Sequence, residues 1–258
     1  MKISINNYFD RIYLLTIERN LGRQSLFAKN LDGIDYKIFI GVDGKQLDLE
    51  ELERVGEYDS NSMSINTNAL MEKYLGMSYL AVPHRNMVAC SMPHKAIYQD
   101  VINNNYSKVL ILEDDALLER ENLVYWDSIQ RQLPANWDLL YLGYEWKYDK
   151  TPFDYFKRNF IFPTLNFTGI KKYNSNLIKN GYAKPLSANL LSAGTHAGTH
   201  AYAITRKGAE ILLKEQSPVN CNPDLLFWKP AMEKRINAYS CKPQLFTTAD
   251  ISSSIMEG

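Results

Sequence analysis

Residues Lys108-Val-Leu-Ile-Leu112 make a short apolar run that leads directly into Glu113-Asp114-Asp115. A run of that length predicts a strand buried on both faces, and such strands belong to parallel sheets covered by helices. Three consecutive carboxylates at its end are costly. Repulsion and desolvation both oppose their ionisation unless a cation or a helix N-terminus compensates. Open α/β sheets bind ligands at the carboxyl ends of their strands. One stretch of eight residues therefore points both to a fold and to a place for chemistry.

The flanking sequence agrees with that fold. Ile12 to Thr16 reads as a second buried strand, and Glu18 to Gln24 leads into Leu26, Phe27 and Leu31 at spacings that share a helix face. Asp32-Gly33 stops the helix, Tyr36 to Ile40 alternates as a strand, and Gly41-Val42-Asp43-Gly44 closes it as a turn. Strand, helix and strand in so few residues is the rhythm of a parallel sheet. Further along, the pattern predicts a short acidic helix over Leu47 to Val55 and an exposed loop at Asn61-Ser62-Met63-Ser64. It also predicts helices over Ser91 to Asn104, Leu123 to Gln132 and Lys207 to Lys214, and strands over Asp138 to Gly143 and Ala201 to Thr205. From Tyr144 to about Leu191 it dissolves into aromatic and polar residues, and a stretch that long is expected to be a lid or a binding insertion.

Composition narrows the partners. Among 258 residues, 29 Lys+Arg balance 29 Asp+Glu, so no bulk field holds nucleic acid or anionic lipid and any charge-driven binding must be local. Three cysteines (Cys90, Cys221, Cys241) make no disulfide framework, and the odd count suits a reducing compartment. Met1 to Asn7 lacks a signal peptide's apolar run. Pro185 to Thr205 is uncharged but carries proline, asparagine, two histidines and several hydroxyls, which hydrocarbon solvates poorly. The expectation is a soluble cytoplasmic protein without a transmembrane segment; association with the inner face of a membrane stays open.

A divalent Mg²⁺ or Mn²⁺ would relieve the acidic triplet, since these ions take carboxylate oxygens and keep positions open for phosphate. Strand alternation places Glu113 and Asp115 on one side and turns Asp114 away. The plainer alternative is that the acids cap a following helix. His200, beside the strand from Ala201, is a candidate third ligand and His196 is its near-duplicate in a repeated Ala-Gly-Thr-His; either can equally be a hydrogen-bonded core residue. Their His-x-x-x-His spacing suggests zinc only on a helix, and Gly194 and Gly198 argue against one. Cys90 and His94 do not suggest a nucleophile dyad, because no acidic orienter lies near in sequence. Asp224 in Asn222-Pro223-Asp224 either begins a helix or serves as a general base. The aromatic insertion is either a covering loop or a platform for sugar rings. Its basic residues (Lys147, Lys150, Lys157, Arg158, Lys171, Lys172) read as solvated, with one of them free to meet a phosphate.

In order along the chain, these pieces resemble glycosyltransferase family 25, which includes bacterial lipooligosaccharide galactosyltransferases and animal collagen galactosyltransferases. The family's opening strand and Asn-Leu-x-Arg-x-x-x-Arg pattern stand here as Leu15-Thr16-Ile17-Glu18-Arg19-Asn20-Leu21-Gly22-Arg23, with Thr16 for the usual Asn. Gly41-Val42-Asp43-Gly44 corresponds to Ala-x-Asp-Gly. Cys90-Ser91-Met92-Pro93-His94 corresponds to a Cys-x-x-Ser-His segment that precedes a helix. Leu112 to Ala116 keeps Leu-Glu-Asp-Asp-Ala intact. Ala201-Tyr202-Ala203-Ile204 with Gly208-Ala209, Pro223-Asp224 and Ala249-Asp250-Ile251 resemble the closing motifs.

The resemblance implies a GT-A-like, Rossmann-type, mostly parallel sheet flanked by helices, in a single domain over residues 1–258. Residues 1–143 would form the nucleotide-sugar half, and 144–258, with the insertion 144–191, the acceptor side. It implies a metal-dependent, inverting transfer of a hexose, foremost galactose, from a UDP-sugar to an oligosaccharide or glycolipid acceptor in lipopolysaccharide biosynthesis. Mn²⁺ or Mg²⁺ would sit on Glu113, Asp115 and His200. Thr16, Arg19, Arg23, Asp43, Gly44, His94 and Asp114 would contact the donor, with Arg11 also a candidate for phosphate, and Asp224 would be the base. The competing readings are a catalytically silent glycan-binding relative and a metal-dependent phosphotransferase or hydrolase; no Gly-x-x-x-x-Gly-Lys loop favours the latter.

Overall fold

The computed structural model describes residues 4–75, 85–145, 153, 156–170 and 175–249. Its elements in chain order are β1 (Arg11–Thr16), α1 (Gln24–Asn30), β2 (Lys37–Ile40), α2 (Leu49–Arg54), α3 (Ser60–Leu75), α4 (Arg85–Asn103), β3 (Lys108–Glu113), β4 (Ala116–Leu118), α5 (Trp126–Gln132) and β5 (Leu139–Glu145). After these come α6 (Phe162–Thr168), α7 (Ser175–Asn180), β6 (Lys184–Pro185), β7 (Leu190–Ser192), β8 (Ala197–Thr205), α8 (Arg206–Glu215), α9 (Pro223–Leu226), α10 (Trp228–Met232), β9 (Ala238–Cys241) and β10 (Phe246–Thr248).

Eight strands form one sheet in the order β2-β1-β3-β8-β5-β9-β7-β6, and β10 pairs with β4 in a small second sheet. The strands β2, β1 and β3 run parallel, as do β5 and β9, while β8 runs antiparallel between β3 and β5. Only β8 and β7 oppose the common direction, so the sheet is mostly parallel with helices on both faces, the α/β class expected.

Side-chain alternation builds the two cores. Ile12 and Leu14 of β1 and Leu110 and Leu112 of β3 join Phe27, Leu31, Trp126 and Phe246 on one face. Tyr13, Val109 and Ile111 face the other way, against Ile97, Tyr98 and Val101 of α4 and Leu212 of α8. Each such aliphatic chain, taken fully out of water, contributes roughly 1.5–3 kcal/mol. This double burial is why β3 reads as a continuous apolar run rather than an alternating one.

Three local expectations change. Asn61 to Ser64 is not an exposed loop but the first turn of α3, and Met63 is fully buried there. Asp59 sets that start, accepting from the Ser62 amide at 2.8 Å. The segment Cys90 to His94 does not precede a helix; it lies within α4, with Pro93 inside. Among the described residues, the insertion is more regular than expected, with a π-helical turn (Lys157–Ile161) leading into α6, followed by α7, β6 and β7. Lys147, Lys150, Lys171, Lys172 and Asp250 lie outside the described residues.

Candidate active site

An open cleft of about 620 Å³ lies at the carboxyl ends of β1, β2 and β3. It is walled by Thr16, Arg19 and Asn20 after β1, Gly41 and Gly44 after β2, Asn86, Cys90 and His94 of α4, and Glu113 and Asp114 of β3. The parallel strands deliver these ends to one edge, where open α/β sheets bind ligands. Gly44 is where the chain comes closest to α4: a Cβ there would lie 2.4 Å from Asn86 Oδ1. A larger residue there would displace the Asn86 side chain from the wall.

The three acids have separate environments. The strand ends at Glu113 and passes through a turn into β4, so the acids cap no helix. Glu113 Oε1 accepts from the Thr199 hydroxyl and lies 3.3 Å from His94 Nε2, a polar approach off hydrogen-bond geometry. Burial opposes ionisation of Glu113, but His94, Thr199 and His200 outweigh it and hold the carboxyl below its ordinary range. Asp114 is not turned away from the cleft as strand alternation suggested. It lines the cleft beside Glu113, and its Oδ2 accepts from Thr16 Oγ1 at 2.5 Å and from Asn20 Nδ2 at 3.0 Å. Asp115 is half-buried, and its Oδ1 is enclosed without a hydrogen-bond partner. Burial, with the charges of Glu113, Asp114 and Glu145, pushes it up to about 7.

A buried hydrogen-bond chain stands behind Glu113. His94 Nδ1 lies 2.8 Å from the Tyr202 hydroxyl, which lies 3.1 Å from that of Tyr98. On β8, His200 Nε2 is also buried without a well-formed hydrogen bond. Burial lowers the His200 pKa, while Glu113, Glu145 and the Phe246 carbonyl favour its protonated form. Its ring packs on Gly143, where a Cβ would lie 2.3 Å from Nε2. His196 behaves differently: Nε2 meets Ser240 Oγ at 2.9 Å, its ring packs on Tyr141 and Tyr144, and its carbonyl accepts from Trp228 Nε1. It is a core residue.

The cleft thus gathers Thr16, Arg19, Gly44, His94 and Asp114 among the expected donor residues. Asp43 stands at its rim, paired with Arg19 at 3.4 Å and capping the turn through the Lys45 amide. The side chain of Arg23 lies outside the described residues. Arg11 does not reach the cleft. It begins β1, about 16 Å of extended chain from Thr16, and its guanidinium pairs with Tyr106. Asp224 sits in the first turn of α9, but Asn222 is the cap, accepting from the Asp224 amide at 2.9 Å. Burial, then the charges of Glu113, Asp224 and Asp115, push the Cys90 thiol well up. Sequence reasoning gave no role to Asn20, Thr199 or Tyr202. Their only signal is position: Thr199 and Tyr202 flank His200 and Ala201 on a strand whose register became visible only with the fold.

Whether these residues suit a divalent cation is decided by the two orphans. Among the described residues no three His, Cys, Asp or Glu side chains converge as a ready cage. Mg²⁺ and Mn²⁺ sites need fewer, since one or two carboxylates plus substrate phosphate and water suffice. Asp115 Oδ1, without a hydrogen-bond partner and near the charges of Glu113, Asp114 and Glu145, fits that requirement, and of the other expected ligands His200 also presents a buried atom, Nε2, that lacks a partner.

The sequence comparison decides the family: the model described as "Glycosyltransferase family 25 (LPS biosynthesis protein)" matches residues 9–227. The chain belongs to glycosyltransferase family 25. Relatives within family 25 include a procollagen galactosyltransferase 2 of Homo sapiens, 26% identical over 142 residues, or 52% of this chain and 21% of that protein. Glycosyltransferase 25 family members of Anopheles gambiae (26% over 209 residues, 80% of this chain, 28% of the relative) and Drosophila melanogaster (26% over 258 residues, 92% and 35%) are similar over more of its length. The chain spans about a fifth to a third of the curated relatives it matches. The match to family 25 contains β1 to β5, β8 and the cleft. Among the described residues no helix is long and apolar enough to cross a membrane.

Proposed function

We propose that this chain is a metal-dependent, inverting glycosyltransferase that moves a hexose, foremost galactose, from a UDP-sugar to a glycan acceptor in surface-glycan biosynthesis. Membership in family 25 supports glycosyl transfer, and relatives named as procollagen galactosyltransferases support galactose. The observation that carries the reading is the cleft at the ends of β1, β2 and β3, lined by Glu113 and Asp114, with Asp115 next in the chain and its Oδ1 enclosed without a hydrogen-bond partner.

Asp114, steadied by Thr16 and Asn20, has its second oxygen to accept from a nucleoside hydroxyl. Arg19, paired with Asp43 and exposed by about a third, can turn its remaining N–H groups to phosphate. Gly44 keeps the wall low enough for the nucleotide to enter. Asp115, with Glu113 and His200, would hold Mn²⁺ or Mg²⁺, which when bound offsets the charge developing on the departing diphosphate. His94 and Thr199 orient Glu113 and keep it ionised. Asp224 takes the proton of the acceptor hydroxyl as it attacks the face of the sugar opposite the leaving group.

Calorimetry of UDP binding with and without Mn²⁺ tests the reading. The expected result is binding that the ion strengthens at least about tenfold, with Asp115→Asn losing that gain while keeping the parent's circular dichroism. Metal-indifferent UDP binding, or an Asp115→Asn protein that retains full transfer, would overturn it.

A further inference from the structure

The helical segment between β5 and β6 wears apolar side chains on its outside. Phe153, Phe156, Phe160 and Phe167 follow one another at three, four and seven residues along a segment that includes the π-helical turn. They are 60%, 50%, 62% and 93% exposed, and Ile170 just beyond is 76% exposed. The rings of Phe156 and Phe160 stack with centroids 5.3 Å apart, and the Lys157 ammonium lies 4.8 Å from the centre of the Phe153 ring. Elsewhere the molecule hides this residue type: Phe9, Phe27, Phe227 and Phe246 are all buried. A row of exposed phenylalanines on one element marks an interaction surface.

Charge selects the partner. Residues 153–180, counted from the first of these phenylalanines, contain Lys157, Arg158, Lys171, Lys172 and Lys179 against Asp154 alone, in a chain that is neutral overall. We propose that this segment docks the protein on a membrane, its phenylalanine stripe entering the boundary between headgroups and acyl chains of a bilayer that contains anionic lipid. An apolar face interleaved with cations is the pattern of helices that lie in the plane of such an interface. A sugar platform fits less well, because the stripe follows the outside of a helix and phenyl rings carry no hydrogen-bonding group, whereas glycan sites are concave with converging polar groups. A second copy of the chain also fits poorly. A twofold contact would bring together two segments that each carry five cations and one acid, with little in either to offset the charge of the other. The inference does not depend on the donor cleft.

Co-sedimentation of the full chain with vesicles tests it, comparing phosphatidylcholine alone with phosphatidylcholine containing phosphatidylglycerol. The protein should pellet with the anionic vesicles and release as salt rises. The F156S/F160S/F167S variant should bind at least about tenfold more weakly with an unchanged melting temperature. Should the triple variant melt early, Phe167→Ser alone, at the most exposed position, should still bind measurably more weakly. The proposal is overturned if the parent ignores anionic vesicles or if the folded variants bind as the parent does. It also falls if, without vesicle binding, the substitutions dissolve a dimer or release the protein from immobilised oligosaccharide.

Discussion

Asp114 is held through one oxygen by two donors, Thr16 and Asn20, that both lie in or after β1. Asn20→Ala removes one of them without altering any charge. Loss of a single positioning hydrogen bond is worth about 1 kcal/mol, so UDP affinity should fall roughly three- to tenfold; unchanged affinity by calorimetry would deny Asp114 its donor role. At Asp224 the expectation concerns turnover. Asp224→Asn keeps the shape and the Asn222 cap, so a lost base should lower kcat by at least about a hundredfold with little change in donor affinity. Steady-state kinetics with the UDP-sugar separate the two; a variant whose main defect is KM for the donor assigns Asp224 to binding.

At the scale of elements, α3 depends on the residue before it. Asp59 accepts from both the amide and the hydroxyl of Ser62, and these bonds hold its carboxyl below the ordinary range. A depressed carboxyl stabilises the fold above its unfolded pKa, and that contribution is lost as pH falls through the folded value. Asp59→Ala should therefore cost about 1 kcal/mol near neutrality, with the gap to the parent narrowing in acid; urea titrations across pH measure both. This cap also shows what sequence pattern could and could not reveal. The strands β1 and β3 were legible because burial on both faces leaves a continuous apolar run, and Asp32-Gly33 stops a helix by local chemistry alone. α3 was not, because Asn61-Ser62-Met63-Ser64 is polar on its solvent side, and the inward position of Met63 depends on packing with Tyr58, Val88 and Val219. The cleft was half legible: Thr16, Arg19 and Gly44 stand at or just after strand ends that can be read directly, whereas alternation along β3 turned Asp114 away and only the family motif placed it with the donor. Asn20, Thr199 and Tyr202 act only through partners that pairing across the sheet supplies, so no local signal marks them. Arg11 misled for a similar reason, since it is near the motif in sequence yet at the opposite end of its strand.

Across the whole molecule, Asp138 ties three elements at the edge opposite the cleft. It is buried, meets Lys207 of α8 at 3.0 Å and accepts from the Asn237 amide, just before β9, at 2.8 Å. Asp138→Ala strands that amide, so stability in urea should fall by about 2 kcal/mol, while UDP binding at the distant cleft stays as in the parent. The placement of β8 has a further consequence, for how the protein is made. Its two neighbours, β3 and β5, precede it in the chain. A ribosome adding about 5–20 residues per second takes several seconds or more to travel from Lys108 to Thr205. During that interval the nascent polypeptide shows first β3 and then β5 as well, apolar strands with open backbone edges that are a template for pairing with a neighbouring chain on the same polysome. Stalled or truncated translation products lacking β8 would carry that hazard permanently.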